Sequence, residues 1–531
     1  MPNRTFVSNP QAPVVGSLDR YKWEVLLVVM IGTMMAALDT SIVNIAMPNI
    51  MSDFGSTIDD IEWVATGYMM AYAVFIPMSA WIRERMGSRN LYLAAIALFT
   101  VGSVLCGFAW NLPSLIVARI LQAVGGGAVT PTGMTMVSEV FEPHERGKAM
   151  GFWGMGVIIG PALGPTLGGY LTQTVGWRSI FFVNVPLGIL VLLLGGALLR
   201  REAAHPVKKA FDLWGFLFLS AFLAGFLLGI SKGEEDGWGS AFIVGCFLCS
   251  TAGLVGFLLV ESLVPHGIVD LSLFENRIFS SCVVVTIGRS IAMFAAMFLM
   301  PLFSQNLMGL DAFQSGLLLL PGSVLLAACM PVAGKLSDRF GPRYLVLAGT
   351  LGIAYFMYLY RALDANSSLW DFVWPTFIRA GAISLMVAPI MATALNAIPL
   401  SKSAQASAIL NLIQQVGGSA GIAVLGTVLD NRQAFQMAHL ATELRPASPV
   451  FARAMGHLTW RALDLGYSPA QAHGLAQAAL ARLVGLASAV RGFDDTFWFG
   501  AVIILVTGVP VLLLPSKRVV HSKAFDAAAM E

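Results

Sequence analysis

Asp39, Arg119, Arg289 and Arg379 are ionisable residues set deep inside long apolar stretches of this chain. A charge at the centre of a bilayer costs roughly 2.5–3.5 kcal/mol on insertion scales, so such a side chain faces a partner or a wet cavity. A desolvated carboxylate holds a proton more readily, and a guanidinium beside it favours the ionised form. Asp39 opposed to Arg119 would therefore load a proton in one arrangement and release it in another. Gln122, one helical turn beyond Arg119, is placed to tune the pair. The plainer reading is a structural ion pair locking two helices, and both stay open. Arg289, if it faces a cavity, favours anionic or acidic amphiphiles; otherwise it forms a salt bridge to a neighbouring helix. Arg379 serves either a cavity or, as a structural donor, the ends of helices.

Other chemistry is excluded by what the sequence lacks. It has no glycine-rich loop ending in Lys and Ser or Thr, so ATP does not drive it directly. No nucleophile elbow or paired-carboxylate hydrolase site is present, and the chain reads as a non-enzyme. The seven histidines (144, 205, 266, 439, 457, 473 and 521) lie outside the apolar runs without metal-like spacing, and no cofactor is expected. Cys246 and Cys249 form a C-x-x-C pair, but inside an apolar run a redox role is disfavoured. With 57% hydrophobic and 12% charged residues, the chain is far from a water-soluble composition. Its net charge of +2 points to no nucleic acid. Energy must come from an ion gradient.

The elements that position these residues are apolar runs near twenty residues long, about fourteen of them. They fall at 24–50, 61–80, 91–109, 113–138, 149–173, 179–199, 212–231, 240–261, 278–303, 313–335, 343–362, 372–397, 405–430 and 496–515. The first is too long for a signal-peptide core and follows no cleavage-type site, so it is expected to be retained. Arg83, Arg85 and Arg89, then Arg200, Arg201, Lys208 and Lys209, then Lys335, Arg339 and Arg343 share one side, which the positive-inside rule makes cytoplasmic. Both termini lie on that side. Segments 1–23 and 516–531 are then cytoplasmic tails, and 200–211 and 262–277 cytoplasmic linkers. The segment 431–495 is a long outer loop with a short amphipathic helix near 471–482, after Ser468-Pro469.

The spans repeat. Spans 2 and 3 are joined by Arg83-Glu84-Arg85-Met86-Gly87-Ser88-Arg89, and spans 10 and 11 by Lys335-Leu336-Ser337-Asp338-Arg339-Phe340-Gly341-Pro342-Arg343. Arg119 is followed by Pro131 in span 4, as Arg379 is by Pro389 in span 12. Spans 1–6 thus match 9–14, giving two six-helix halves (24–199 and 278–515) with an inserted pair (212–261). An all-α integral membrane protein of two repeats around a midplane site is transporter architecture. In span 5, Gly156, Gly160, Gly164 and Gly168 recur every fourth residue on one helix face, with Pro161, Pro165 and Gly169 beside them. Each interior Gly costs a soluble helix about 1 kcal/mol and each Pro about 3. In a bilayer the helix persists, and the ridge lets another helix approach closely.

That glycine ridge resembles the antiporter motif of drug:proton exporters of the major facilitator superfamily. Leu38-Asp39-Thr40-Ser41-Ile42-Val43-Asn44, Arg119-Ile120-Leu121-Gln122-Ala123-Val124-Gly125 and Trp177-Arg178-Ser179-Ile180-Phe181-Phe182-Val183-Asn184 are similar to stretches of the fourteen-helix, EmrB/QacA-type permeases. The resemblance implies the superfamily fold and proton-coupled export of amphiphilic toxic compounds by alternating access. It supports Asp39, Arg119 and Gln122 as the coupling residues. It also implies conformational-lock motifs at Asp338, Arg339 and Gly341 and at Glu84, Arg85, Gly87 and Arg89, where Glu84 departs from the usual Asp. Asn44, Tyr68, Tyr72, Arg289, Met293, Met297, Arg379, Asn411 and Gln414 lie on helices that would line the cavity. A bacterial inner membrane, a periplasmic EmrA-like membrane-fusion adaptor docking on 431–495 and an outer-membrane channel are further implications. The rivals are a single-component exporter, a facilitator or importer on the same fold, and a non-transporting membrane receptor or scaffold.

Overall fold

The computed structural model describes residues 15–201, 211–264, 267–310, 312–364, 367–444 and 448–516. The tail through Val14, the linker stretch 202–210 and the tail from Lys517 onward lie outside the described residues. Among the described residues, regular structure is helical throughout. The N-terminal half comprises α1 (Val15–Phe54), α2 (Ile58–Met86), α3 (Ser88–Gly107), α4 (Leu112–Val140), α5 (Arg146–Thr174), α6 (Ser179–Phe182) and α7 (Asn184–Leu198). An inserted pair follows, α8 (Leu213–Lys232) and α9 (Ala241–Leu263). The C-terminal half holds α10 (Arg277–Asn306), α11 (Ala312–Phe340), α12 (Pro342–Tyr360), α13 (Leu369–Asn396), α14 (Ser403–Glu443), α15 (Pro449–Asp464) and α16 (Pro469–Gly508).

Thirteen described helices are long and apolar enough to cross a membrane, with α6 and α7 counted as one. The remaining expected span, 343–362, coincides with α12, whose 19 residues include Arg343 and four tyrosines. Span 6 is broken at Val183, so Asn184 begins a new helix. The expected loop 431–495 is mostly helix. α14 has 41 residues and α16 has 40, about 60 Å each at 1.5 Å per residue and twice a hydrocarbon core. The short helix expected near 471–482 is the first part of α16. Its start is set by a capping pair in which the Ser468 N–H and hydroxyl both donate to Gln471 Oε1.

The glycine ridge explains how α5 meets α1. A Cβ on Gly160 would stand 2.6 Å from the Leu38 backbone nitrogen, and one on Gly168 would stand 2.8 Å from Ile42 Cγ1. Gly156 faces Met30 and Gly164 faces Ser41, so all four ridge glycines lie against α1. Gly169 does not; a Cβ there meets nothing. The other face of α5 packs along α11, where Gly151 abuts the Met330 carbonyl and Gly147 approaches Gly334.

The repeat is visible in atomic detail at one end of the bundle. Gly87 turns α2 into α3 with φ of 79°, and Gly341 turns α11 into α12 with φ of 82°. A one-residue turn of that sign needs glycine. Two residues on, Arg89 donates to the Leu199 and Gly196 carbonyls at the end of α7, and Arg343 donates to the Leu514 carbonyl past the end of α16. Each arginine ties the last helix of its half to the turn, where the helix carbonyls lack internal partners.

Candidate functional site

Asp39 is fully buried on α1, and two other helices converge on its carboxylate. Arg119 of α4 donates from Nη1 to Oδ2 at 2.6 Å. Gln122, one turn along α4, donates to Oδ1 at 2.9 Å, and Asn184 at the head of α7 donates to the same oxygen at 2.7 Å. Ser103 of α3 accepts from both amides, at 3.2 and 3.0 Å, and donates to the Phe181 carbonyl. Arg119 also donates to Gln122 Oε1 at 2.6 Å, and its guanidinium lies 4.0 Å from the Tyr68 ring centroid. Every member of the network is at most 2% exposed.

The sequence-named trio thus comes together, and the structure adds Asn184 and Ser103. Asn184 was visible as a polar residue next to a helix start, but neutral amides and hydroxyls are common in membrane helices and carry no charge signal. The three N–H donors fill three of the roughly four lone-pair sites of the ionised carboxylate, with Arg119 alone on Oδ2. A proton on Oδ2 would cancel the charge that Arg119 faces and leave its guanidinium buried without a counter-ion.

The remaining candidates divide. Tyr68 serves this network through its ring, and Tyr72 stacks on Tyr68 and donates to Thr130. Asn44 is exposed on α1, away from the Asp39 carboxylate. Asn411 is buried, with its amide toward Ser407 and Met134, joining the halves. Arg289 is buried on α10 and makes no salt bridge among the described residues; its partners are Gln414 Oε1 at 2.9 Å and the Met293 sulfur. Arg379 turns from the helix ends toward α12, its guanidinium 5.9 Å from the Phe356 ring.

The two lock motifs differ. Asp338 accepts from the Gly147 and Lys148 backbone N–H groups, at 3.1 and 3.0 Å, so the C-terminal half grips the start of α5. Helix N-termini favour such a carboxylate. Arg146 to Asn396 and Asn396 to the Pro143 carbonyl add to the same closure. Arg339 instead lies over Phe340. Glu84, the repeat partner of Asp338, lines a cavity of about 380 Å³ with Ser401, Lys402 and Gln405 at the start of α14. Arg85 stacks on Trp81, and it is Arg83 that pairs with Glu139.

The model of the Major Facilitator Superfamily matches residues 29–231 and 208–422. The chain belongs to that superfamily. Within the superfamily it is 32% identical to YhcA of Bacillus subtilis, an uncharacterized MFS-type transporter, over 91% of each chain. It is 28% identical to the multidrug export protein EmrB of Haemophilus influenzae, over 90% of this chain and 92% of that one. The solved proton:xylose symporter XylE shares the superfamily fold, with a TM-score of 0.61 and 14% identity over 94% of this chain and 98% of its own. The protein is therefore a multi-pass membrane transporter of this superfamily, built on its two-half plan.

Proposed function

We propose that this transporter is a drug:proton antiporter that exports amphiphilic compounds from the cytoplasm by alternating access. The observation that carries the reading is the buried Asp39 carboxylate, paired with the Arg119 guanidinium and held by donors from α4 and α7, so that its charge state bears on how those helices pack. Similarity to a multidrug export protein supplies the direction and the substrate class. The orientation follows the basic residues: the end carrying Gly87 and Gly341 is cytoplasmic, and fourteen crossings put both termini there. With Asp338 seated on α5 and Asn411 against Met134, that end is closed. Release of Asp39 to take up an outside proton would loosen α4, and proton release inside would restore the network.

The membrane is a bacterial inner membrane in this reading, and the helical extension formed by α14, α15 and α16 projects outside. Val450, Trp460, Leu463 and Leu465 are exposed there. Exposed apolar side chains beyond the bilayer suit contact with a membrane-fusion adaptor of the EmrA type leading to an outer-membrane channel. Pull-down of the adaptor lost on deleting 445–485 would support this, and retention would remove it.

The test of antiport is proteoliposomes with a trapped pH dye, given ethidium as an amphiphilic drug. Drug-evoked proton movement is expected in wild type. Equal drug flux with no proton movement would instead make the protein a facilitator.

A further inference from the structure

Arg289 presents a charge problem that its surroundings do not solve. It is 1% exposed, and its Nε has no partner. Its two contacts are a neutral amide and a thioether. No Asp or Glu occurs on α10, nor anywhere from Phe372 to Leu429, which covers most of α13 and the membrane part of α14. The N-terminal half is built differently, since Arg119 has Asp39. A buried guanidinium without a counter-ion is costly, and an anion from outside the chain relieves that cost.

Met293 and Met297 follow Arg289 at four-residue spacing along one face of α10, and exposure rises along them to 41% at Met297. Gln414 is itself partly exposed. Two flexible thioethers, of the kind that reshape around apolar bodies, thus lie between the outer part of α10 and the cation. Arg379 takes no part, because it faces α12.

We propose that Arg289 and Gln414 form an anion subsite that takes the carboxylate of an acidic amphiphile, whose apolar body lies against Met293 and Met297. The proposal rests on the exporter reading for its role in transport, but the binding itself is measurable apart from transport. Arg289 donates two parallel N–H bonds to the carboxylate, and the Gln414 side-chain N–H groups supply a further donor.

The experiment compares two fluorescent probes on one apolar body, 1-pyrenebutyrate and its trimethylammonium analogue, binding to the purified full-length protein. Wild type is expected to prefer the carboxylate by about tenfold or more. Arg289→Gln should weaken carboxylate binding about ten- to a hundredfold and leave the cation within about twofold. Gln414→Glu supplies an internal counter-ion while keeping the arginine, so it should cut carboxylate binding even if Arg289→Gln fails to fold. Equal affinity of wild type for both probes, or equal loss of both in the variants, would overturn the subsite. Ethidium-evoked proton movement in the same variants judges the exporter reading separately. Its absence in wild type would remove antiport, while a carboxylate preference lost in Gln414→Glu would leave the anion subsite standing.

Discussion

At the scale of single residues, the Asp39 network is a buried ion pair completed by neutral donors. Such pairs are weak as stabilisers, yet removing one partner strands a charge, at about 3–5 kcal/mol. Arg119→Gln is therefore expected to lower the melting temperature in detergent sharply, and adding Asp39→Asn should recover much of the loss. A double variant no more stable than Arg119→Gln would show that the pair is not coupled. Asn184→Ala removes one of three donors to the carboxylate, and a hydrogen bond to a charged group is worth about 1.5–3 kcal/mol. Thermal unfolding checks this, with Asn44→Ala as an exposed control of little effect. The charged members of the network were legible in the sequence because a charge in an apolar run demands a reason. Asn184 and Ser103 were not, because a neutral polar side chain in a membrane helix carries no such demand.

Helix contacts depend on which glycine is touched. Gly160→Ala would push a Cβ to 2.6 Å from the Leu38 backbone, which cannot step aside, and should cost about 1–3 kcal/mol. Gly169→Ala meets open space and should be neutral or slightly stabilising, since alanine favours helix. Comparable losses at both positions would argue against the tight α1–α5 seam. The four-residue glycine period was readable from sequence, but the exclusion of Gly169 needed the neighbouring helix in place. A second contact depends on pH. On the turn between α8 and α9, the Glu234 carboxyl is pushed up to about 7, first by its hydrogen bond with Asp430 of α14, then by burial and by the Asp430 charge. A carboxyl raised in this way supports its contact fully below its ordinary value near 4.5, and the support fades as pH climbs through about 7. Spin labels at positions 236 and 431 should give a narrow distance distribution at pH 5 and a broad one at pH 8. Glu234→Gln should abolish that difference.

Across the whole molecule, the two halves are held at one end by Asp338 on the start of α5 and by the Arg146–Asn396 contact. Asp338→Ala should shift the protein toward opening at that end. A cysteine placed at the buried Ser407 would then react about fivefold or more faster with an impermeant maleimide added from the cytoplasmic side. An unchanged rate would mean that the grip on α5 does not hold the closure. The two-half plan could be read from the paired turns, because their glycines, charges and spacing repeat through the inserted helices. The asymmetry was signalled only by Glu84 standing where the pattern has Asp; that Glu84 lines a cavity while Asp338 caps a helix depends on the neighbouring elements. The outer extension was misjudged for a related reason. Hydropathy marks where a helix leaves the bilayer and says nothing of where it ends, so α14 and α16 run on through a segment read as loop.

The central claim is that Asp39 carries the exchanged proton, and the most direct test is proton release on drug binding. Ethidium is added to purified protein in lightly buffered detergent solution, and pH is followed with a soluble indicator. Wild type should release protons on ethidium addition, and Asp39→Asn should bind ethidium but release none. Equal release from both proteins would contradict the account, because the proton would then leave from some other group.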